Sequence, residues 1–204
     1  MAKIKMSKKS TRVDMTAMCD MAFLLLSFFI MTSTAKLPEP MPVDTPASTV
    51  QAKLPESNLA TLTVGNGKVF FGVTGQQIRI ETLKRMGEKY KVQFTPDEEK
   101  KFALIDGFGV GIGNLKQLIA MENSERMVEG LQPGIPYDSL NNQLADWVRI
   151  ARETTRDLDR KDLQIAIKGD AKAEYPTIKK VLDILQDQKR NNFFLVTGLR
   201  SEDF

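Results

Sequence analysis

Residues 15–34 read MTAMCDMAFLLLSFFIMTST, an apolar run broken by small hydroxyl side chains and by one carboxylate, Asp20. About 20 apolar residues, rising ~1.5 Å each as a helix, cross the hydrocarbon layer of a bilayer. Lys3, Lys5, Lys8, Lys9 and Arg12 precede the run, and no comparable basic cluster follows it. The positive-inside bias then sets the N-terminus in the cytoplasm and everything after Thr34 on the far side. No later stretch is apolar enough to span again, which predicts a single pass.

The same residues also fit a cleaved secretory signal, with residues 21–31 as its apolar core and Ser33 and Ala35 at a small-x-small site. A lipoprotein signal fits poorly, because Cys19 precedes the apolar run and Met18 is too large for the position before a lipidated cysteine. A plain anchor is the third reading. Asp20 speaks against both the signal and the plain anchor, since an acid inside a span costs about 2.5–3.5 kcal/mol on insertion scales and is rare without a role. At about 100° per residue, Thr16, Ser27 and Thr34 fall within ~40° of Asp20, with Leu24 and Met31 in the same sector. Ala22, Leu25, Leu26, Phe29 and Ile30 occupy the flanking and opposite surfaces. A stripe of this kind belongs against another helix or a hydrated path.

A carboxyl in a low-dielectric setting favours its neutral form, so it can take a proton on one side and release it where its surroundings are wetter. Crossing the membrane potential is worth about 2.3 kcal/mol per charge per 100 mV. One helix cannot enclose such a group, so the chain requires oligomerisation or a multi-span partner. The competing structural role is an interhelical hydrogen bond without transport.

Residues 13–34, VDMTAMCDMAFLLLSFFIMTST, resemble the N-terminal span of the ExbD/TolR family. The resemblance assigns Asp20 to the family's essential membrane aspartate and Thr16 to its threonine. Asp14 falls where members carry Asn or Asp, and sits well at the cytoplasmic edge as a first-turn or capping acid. Ala17 departs from the family's usual proline. By resemblance, two copies would stand inside a pentamer of an ExbB-like multi-span protein. A periplasmic domain, itself dimeric, would pass the work to a TonB-like partner. The TolR branch, working with TolQ and TolA, is the near alternative. An exported α/β binding protein with a cleaved signal is the alternative from another class.

Residues 36–58 are Pro-rich and predict an extended linker, with residues 36–49 a simple spacer. Lys53-Leu54-Pro55-Glu56-Ser57 resembles the family's LPxS-type segment, which implies a TonB-engaging role for Leu54, Pro55 and Ser57. Beyond it, residues 59–72 read as a hairpin around Asn66-Gly67. Residues 76–90 read as a helix with Ile80, Leu83 and Met86 inward. A helix starts at Pro96 with Phe102, Leu104 and Ile105 as its apolar face, and residues 114–121 form another. Asp138 is the expected N-cap of a helix over residues 139–154, with Leu140, Leu144, Trp147, Val148 and Ala151 inward. Residues 163–167 and 193–196 read as strands flanking a helix that opens at Tyr175-Pro176, with Ile178, Val181, Leu182 and Leu185 buried. That crossover is right-handed if its strands are parallel neighbours. Residues 167–198 also resemble the family's closing strand–helix–strand pattern, ending L-V-T.

The expected class is therefore α+β: a basic tail (1–12), a transmembrane helix (13–35), the linker (36–58) and a small periplasmic α/β domain (59–204). By comparison with the family, residues of about 84–136 are an insertion.

The chain has no histidine and one cysteine, which excludes His-centred triads, zinc sites and disulfides within the chain. Residues 107–113, GFGVGIG, lack the Lys-Ser/Thr of a Walker A loop and the GxGxxG spacing, and read as a flexible or tightly turned loop. No cofactor and no enzymatic function are expected. Five of the 29 basic residues sit in the N-terminal tail, so the rest, with 26 acids, is close to neutral and does not predict a nucleic-acid binder.

Overall fold

The computed structural model describes residues 15–33, 41–48, 53–128, 130–138, 141–171, 173–189 and 191–199. The basic tail, Asp14, Thr34, Pro38, Pro40 and Leu140 lie outside the described residues. The chain divides into two compact units, Met1–Leu37 and Pro38–Phe204. The first holds α1 (Met15–Thr32), with no charged residue in either terminal turn and no buried residue. A helix that is apolar nearly all round and has no buried residue suits a bilayer and not a soluble core.

The second unit begins with β1 (Ala47–Ser48), followed by β2 (Leu59–Gly65) and β3 (Lys68–Val73). Asn66 and Gly67 join the last two at φ 50° and 69°, the left-handed pair that matches the twist of a tight hairpin. Helices α2 (Gln76–Tyr90), α3 (Pro96–Ala103), α4 (Ile112–Ala120) and the single turn α5 (Asn123–Arg126) come next. Thr95 caps α3, with Glu98 reaching back to the Thr95 N–H at 2.7 Å, a complete capping box. The two-residue strands β4 (Tyr137–Asp138) and β5 (Asn141–Asn142) lead into α6 (Gln143–Asp159). Then come β6 (Gln164–Gly169), α7 (Tyr175–Asp187), β7 (Phe194–Val196) and β8 (Gly198–Leu199).

The main sheet has the order β3-β2-β6-β7. The hairpin pair is antiparallel, whereas β2–β6 and β6–β7 are parallel, so α7 is the crossover that parallel neighbours require. The α+β class holds. One sheet face supplies Ala60, Leu62, Val64, Val69, Phe71, Val73, Ile165 and Ile167 to the core. Trp147 of α6 sits at its centre, fully buried, with ring centroids of Phe108 at 4.9 Å and of Phe71 and Phe102 at 6.2 Å. Residues 84–136 are thus woven into this core through Phe102 and Phe108.

Several sequence expectations change. Asp138 does not cap α6; it pairs with Asn141 in a short ladder, and Asn142 takes the cap by accepting the Ala145 N–H at 3.0 Å. Tyr137–Asp138 and Asn141–Asn142 pair before α6 begins, so the helix starts at Gln143 and its cap falls at Asn142. Leu104 is 66% exposed while Phe102 and Ile105 are buried, because the helix closes at Ala103 and Leu104 turns outward as its C-cap. Ile80 is half-buried; Ile78 and Thr82 hold the inner face of α2 instead. Of the two readings of the glycine-rich loop, flexible or tightly turned, the contacts favour the second: Phe108 exchanges both backbone hydrogen bonds with Phe71, and Val110 is buried.

The described part of the supposed spacer is a strap. Ala47 and Ser48 pair in parallel with Gly198 and Leu199, the Asp44 carbonyl accepts the Ala171 N–H at 2.7 Å, and that of Pro46 accepts the Gly198 N–H at 2.9 Å. Proline fixes an extended φ and removes only the donor, so its carbonyl still joins a ladder.

Two clamps tie helices to the sheet and to each other. Arg79 donates to the carbonyls of Val73 and Ala103 at 2.6 and 2.8 Å and pairs with Asp106 at 2.7 Å. Asp146 on α6 accepts from the Tyr90 hydroxyl at 2.8 Å and from Arg149 at 3.0 Å, and pairs with Lys89. Burial opposes ionisation of Asp146, but Lys89, Tyr90 and Arg149 outweigh it and hold the carboxyl below its ordinary 3.8. Burial, with the Asp146 charge beside it, pushes Tyr90 up to about 12.

Asp146 therefore contributes stability that is complete above about pH 4 and is lost as pH falls through its depressed folded value. Tyr90 contributes below about pH 10 and loses its contribution as pH rises toward the folded value. In full-length protein, the urea midpoint should fall in acid for the parent and stay flatter for Asp146→Asn, which starts lower at pH 7.

A β-carbon on Gly72 would fall inside the Asp106 carbonyl, whereas one on Gly113 in α4 would meet open space. Thermal unfolding should show Gly72→Ala destabilised by about 1–3 kcal/mol through overpacking. Gly113→Ala should be stabilised by about 0.4–1 kcal/mol.

Candidate functional site

The candidate site is a carboxylate on a bare helix. Asp20 is the sixth residue of α1, ~7.5 Å along the axis from Met15 and ~18 Å from Thr32 at helical rise. Thr16 precedes it by one turn and Ser27 follows two turns later, so these three share one side of α1. Leu24 and Met31 lie in the same sector. Asp20 is the one charged side chain in α1, and it is exposed.

The stripe is less polar than its composition suggests. The Ser27 hydroxyl donates to the Leu24 carbonyl at 2.9 Å, and the Thr32 hydroxyl donates to that of Phe28 at 2.8 Å. Inside hydrocarbon such a bond satisfies the hydroxyl locally. What remains for an incoming helix or water path is chiefly the Asp20 carboxyl. An acid inside a span is costly and rare without a role.

The LPxS-like segment lies in the second unit, without helix or strand of its own. Leu54 and Pro55 are half-buried and Ser57 is exposed. The segment ends at Asn58, a buried residue at φ 56° whose carbonyl accepts the Gln164 N–H at 2.8 Å, fixing the head of β2 beside β6. The strap at residues 41–48 and the Arg79 clamp were not foreseen. Pro42 and Pro46, spaced through an otherwise unpatterned stretch, were the available signal for the strap.

Among the described residues, no group of three or more Cys, Asp or Glu side chains is placed to hold a metal ion, and α1 is the one helix long and apolar enough to cross a membrane. The family described as biopolymer transport protein ExbD/TolR matches residues 6–199. The chain belongs to the ExbD/TolR family. No individual curated protein and no solved structure gives a significant match. Members of the ExbD/TolR family are transport accessory proteins and not enzymes, and generally work with ExbB or TolQ and with TonB or TolA. Family membership and the single N-terminal apolar helix together suggest a single-pass inner-membrane protein.

Asp20→Leu should favour insertion of the span by up to about 3–4 kcal/mol in a membrane-insertion assay, the difference between Asp and Leu on that scale at a helix centre. A gain near zero would show that the carboxyl reaches the interface and is not held at depth.

Proposed function

We propose that this chain is the proton-motive-force-coupling subunit of an ExbB–ExbD-type inner-membrane motor that energises TonB-dependent transport across an outer membrane. The observation that carries the reading is the lone carboxylate, Asp20, on an otherwise apolar span inside a family match that begins at residue 6. A match running through the span also favours a retained helix over a cleaved signal.

In this reading the basic tail (1–12) is cytoplasmic, residues 13–35 cross the membrane, and residues 36–204 are periplasmic, with an insertion at about 84–136 relative to the family. Two copies stand within the multi-span partner, whose helices supply the walls that one span lacks. Asp20 takes a proton from the periplasmic side, becomes neutral, and can then face lipid-like surroundings. Release toward the cytoplasm restores the charge and draws the carboxylate back to a hydrated or hydrogen-bonded position. Each proton carries about 2.3 kcal/mol per 100 mV of membrane potential. Alternation between two positions turns that energy into relative movement of helices, which the periplasmic domain passes on. The Leu54-Pro55-Ser57 segment favours the ExbD branch, as the stretch that engages a TonB-like protein. A TolR-like role in envelope maintenance is the alternative, and loss of envelope integrity instead of uptake would mark it.

Asp20→Asn keeps the size of the side chain and removes its ionisation. We expect normal assembly with the multi-span partner, measured by co-purification and copy number, together with lost proton-driven transport. Normal transport in that variant would reduce Asp20 to a structural residue. Ser27→Ala should leave transport close to the parent, because the hydroxyl is already bound to its own helix.

A further inference from the structure

Thr82 and Trp147 are 2% and 0% exposed, and neither the Thr82 hydroxyl nor the Trp147 indole N–H has a hydrogen-bond partner among the described residues. A buried indole N–H ordinarily finds an acceptor, because a donor left dry forfeits the bonds it made to water. A buried threonine on a helix has a ready solution, taken on α6, where the Thr155 hydroxyl donates to the Ala151 carbonyl at 2.8 Å. The Thr82 hydroxyl makes no such bond. Valine would fill the same volume on this inner face of α2, beside Leu83 and one turn from Ile78 and Met86, without a polar atom. The two residues line one small cavity, whose wall also includes the rings of Phe71, Phe102 and Phe108. Arg79 lines it too, but its guanidinium is committed to Val73, Ala103 and Asp106. The cavity offers about 10 Å³ to the centre of a water-sized molecule, the room of a single water.

We propose that this cavity is the binding site of one structural water, which accepts the Trp147 indole N–H and donates to the Thr82 hydroxyl, joining α6 to α2 through the aromatic group. An apolar cavity stays dry, whereas one on which polar groups converge holds a water that bonds two to four of them. Two are present here, on two different helices. Their chemistry matches a water between them: an indole nitrogen only donates, and a hydroxyl both donates and accepts. A water bridging two such groups is enthalpically close to a direct hydrogen bond. The size of the cavity rules out an organic ligand. The contact between α2 and α6 then has two ties, an outer one in which Asp146 meets Tyr90 and Lys89, and an inner one carried by the water. The site lies wholly within the second unit, so it stands or falls independently of Asp20 and of any partner.

Trp147 is the chain's one tryptophan, so its indole N–H gives a single resonance that needs no further assignment. In full-length, nitrogen-15-labelled protein in detergent micelles, a rotating-frame experiment should show a dipolar cross-peak between that resonance and water, opposite in sign to a hydrogen-exchange peak. Thr82→Ser keeps the hydroxyl and should keep the cross-peak. Thr82→Val keeps the volume, has a similar helix propensity and loses the hydroxyl. It should lose most of the cross-peak and lower the urea midpoint, because the water is left with one anchor and the indole with a poorer acceptor. In a dry cavity the same substitution would remove an unpartnered buried hydroxyl and raise the midpoint. The sign of the shift therefore separates a bound water from a signal relayed through the Thr82 hydroxyl alone. No dipolar cross-peak in the parent, a cross-peak at full strength in Thr82→Val, or a midpoint in that variant that is raised or unchanged would each overturn the proposal.

Discussion

A carboxylate cannot remain charged in hydrocarbon without neighbours, and the rest of the molecule follows from that. At about 2.5–3.5 kcal/mol, the penalty of one intramembrane acid is a large fraction of the 5–15 kcal/mol that stabilises a whole domain. α1 does little to offset it. Its hydroxyls at Ser27 and Thr32 are turned onto its own backbone, and apart from Thr16, Cys19 and Asp20 the remaining surface is Leu, Phe, Ile, Met and Ala. In the proposed function, the walls around Asp20 come from another protein. The dependence on partners that defines the ExbD/TolR family is in this sense already present in a single helix.

The second unit is built as one stiff body. The aromatic group around Trp147 draws its rings from β3, α3, the glycine-rich loop and α6. Arg79 joins the end of β3 to the end of α3, and Asp146 joins α2 to α6. Loops that would otherwise be soft are held by buried amides: Gln132 takes the Gly109 N–H, and Gln143 takes the Ile112 N–H at 2.9 Å. Buried polar groups satisfied in this way specify one arrangement of the chain. A body of this kind transmits displacement instead of absorbing it, which suits a part that hands mechanical work to a partner.

Local signals were legible where one physical cause acts alone. Asn66-Gly67 demanded a left-handed turn, Pro96 followed by acids demanded a helix start, and the stripe at Val181 and Leu185 demanded a buried face. What escaped the sequence was tertiary. Leu104 belongs to the apolar pattern of α3 by spacing, but the helix ends one residue before it. Asp138 is a good cap in isolation, yet a two-residue ladder carries the chain on to Asn142. The strap at residues 41–48 has no periodicity, since its partners are distant carbonyls and amides at Gly198 and Ala171. The span was legible as a span, and the stripe as a direction. Only the structure shows that Ser27 has spent its hydrogen bond at home.

The distribution of charge separates the two units by task. In the second unit, several acids meet bases across elements: Asp106 with Arg79, Asp157 with Arg85, Asp146 with Lys89. Asp146, paired in this way, is held below its ordinary value, and its protonation loosens a contact that holds the fold. Such groups are poor proton carriers, because moving the proton and keeping the structure are opposed. Asp20 has no base within its own helix, so no contact within α1 depends on its charge. In the proposed reading, a group that pairs with no base in its own helix is the one left to do work on another protein.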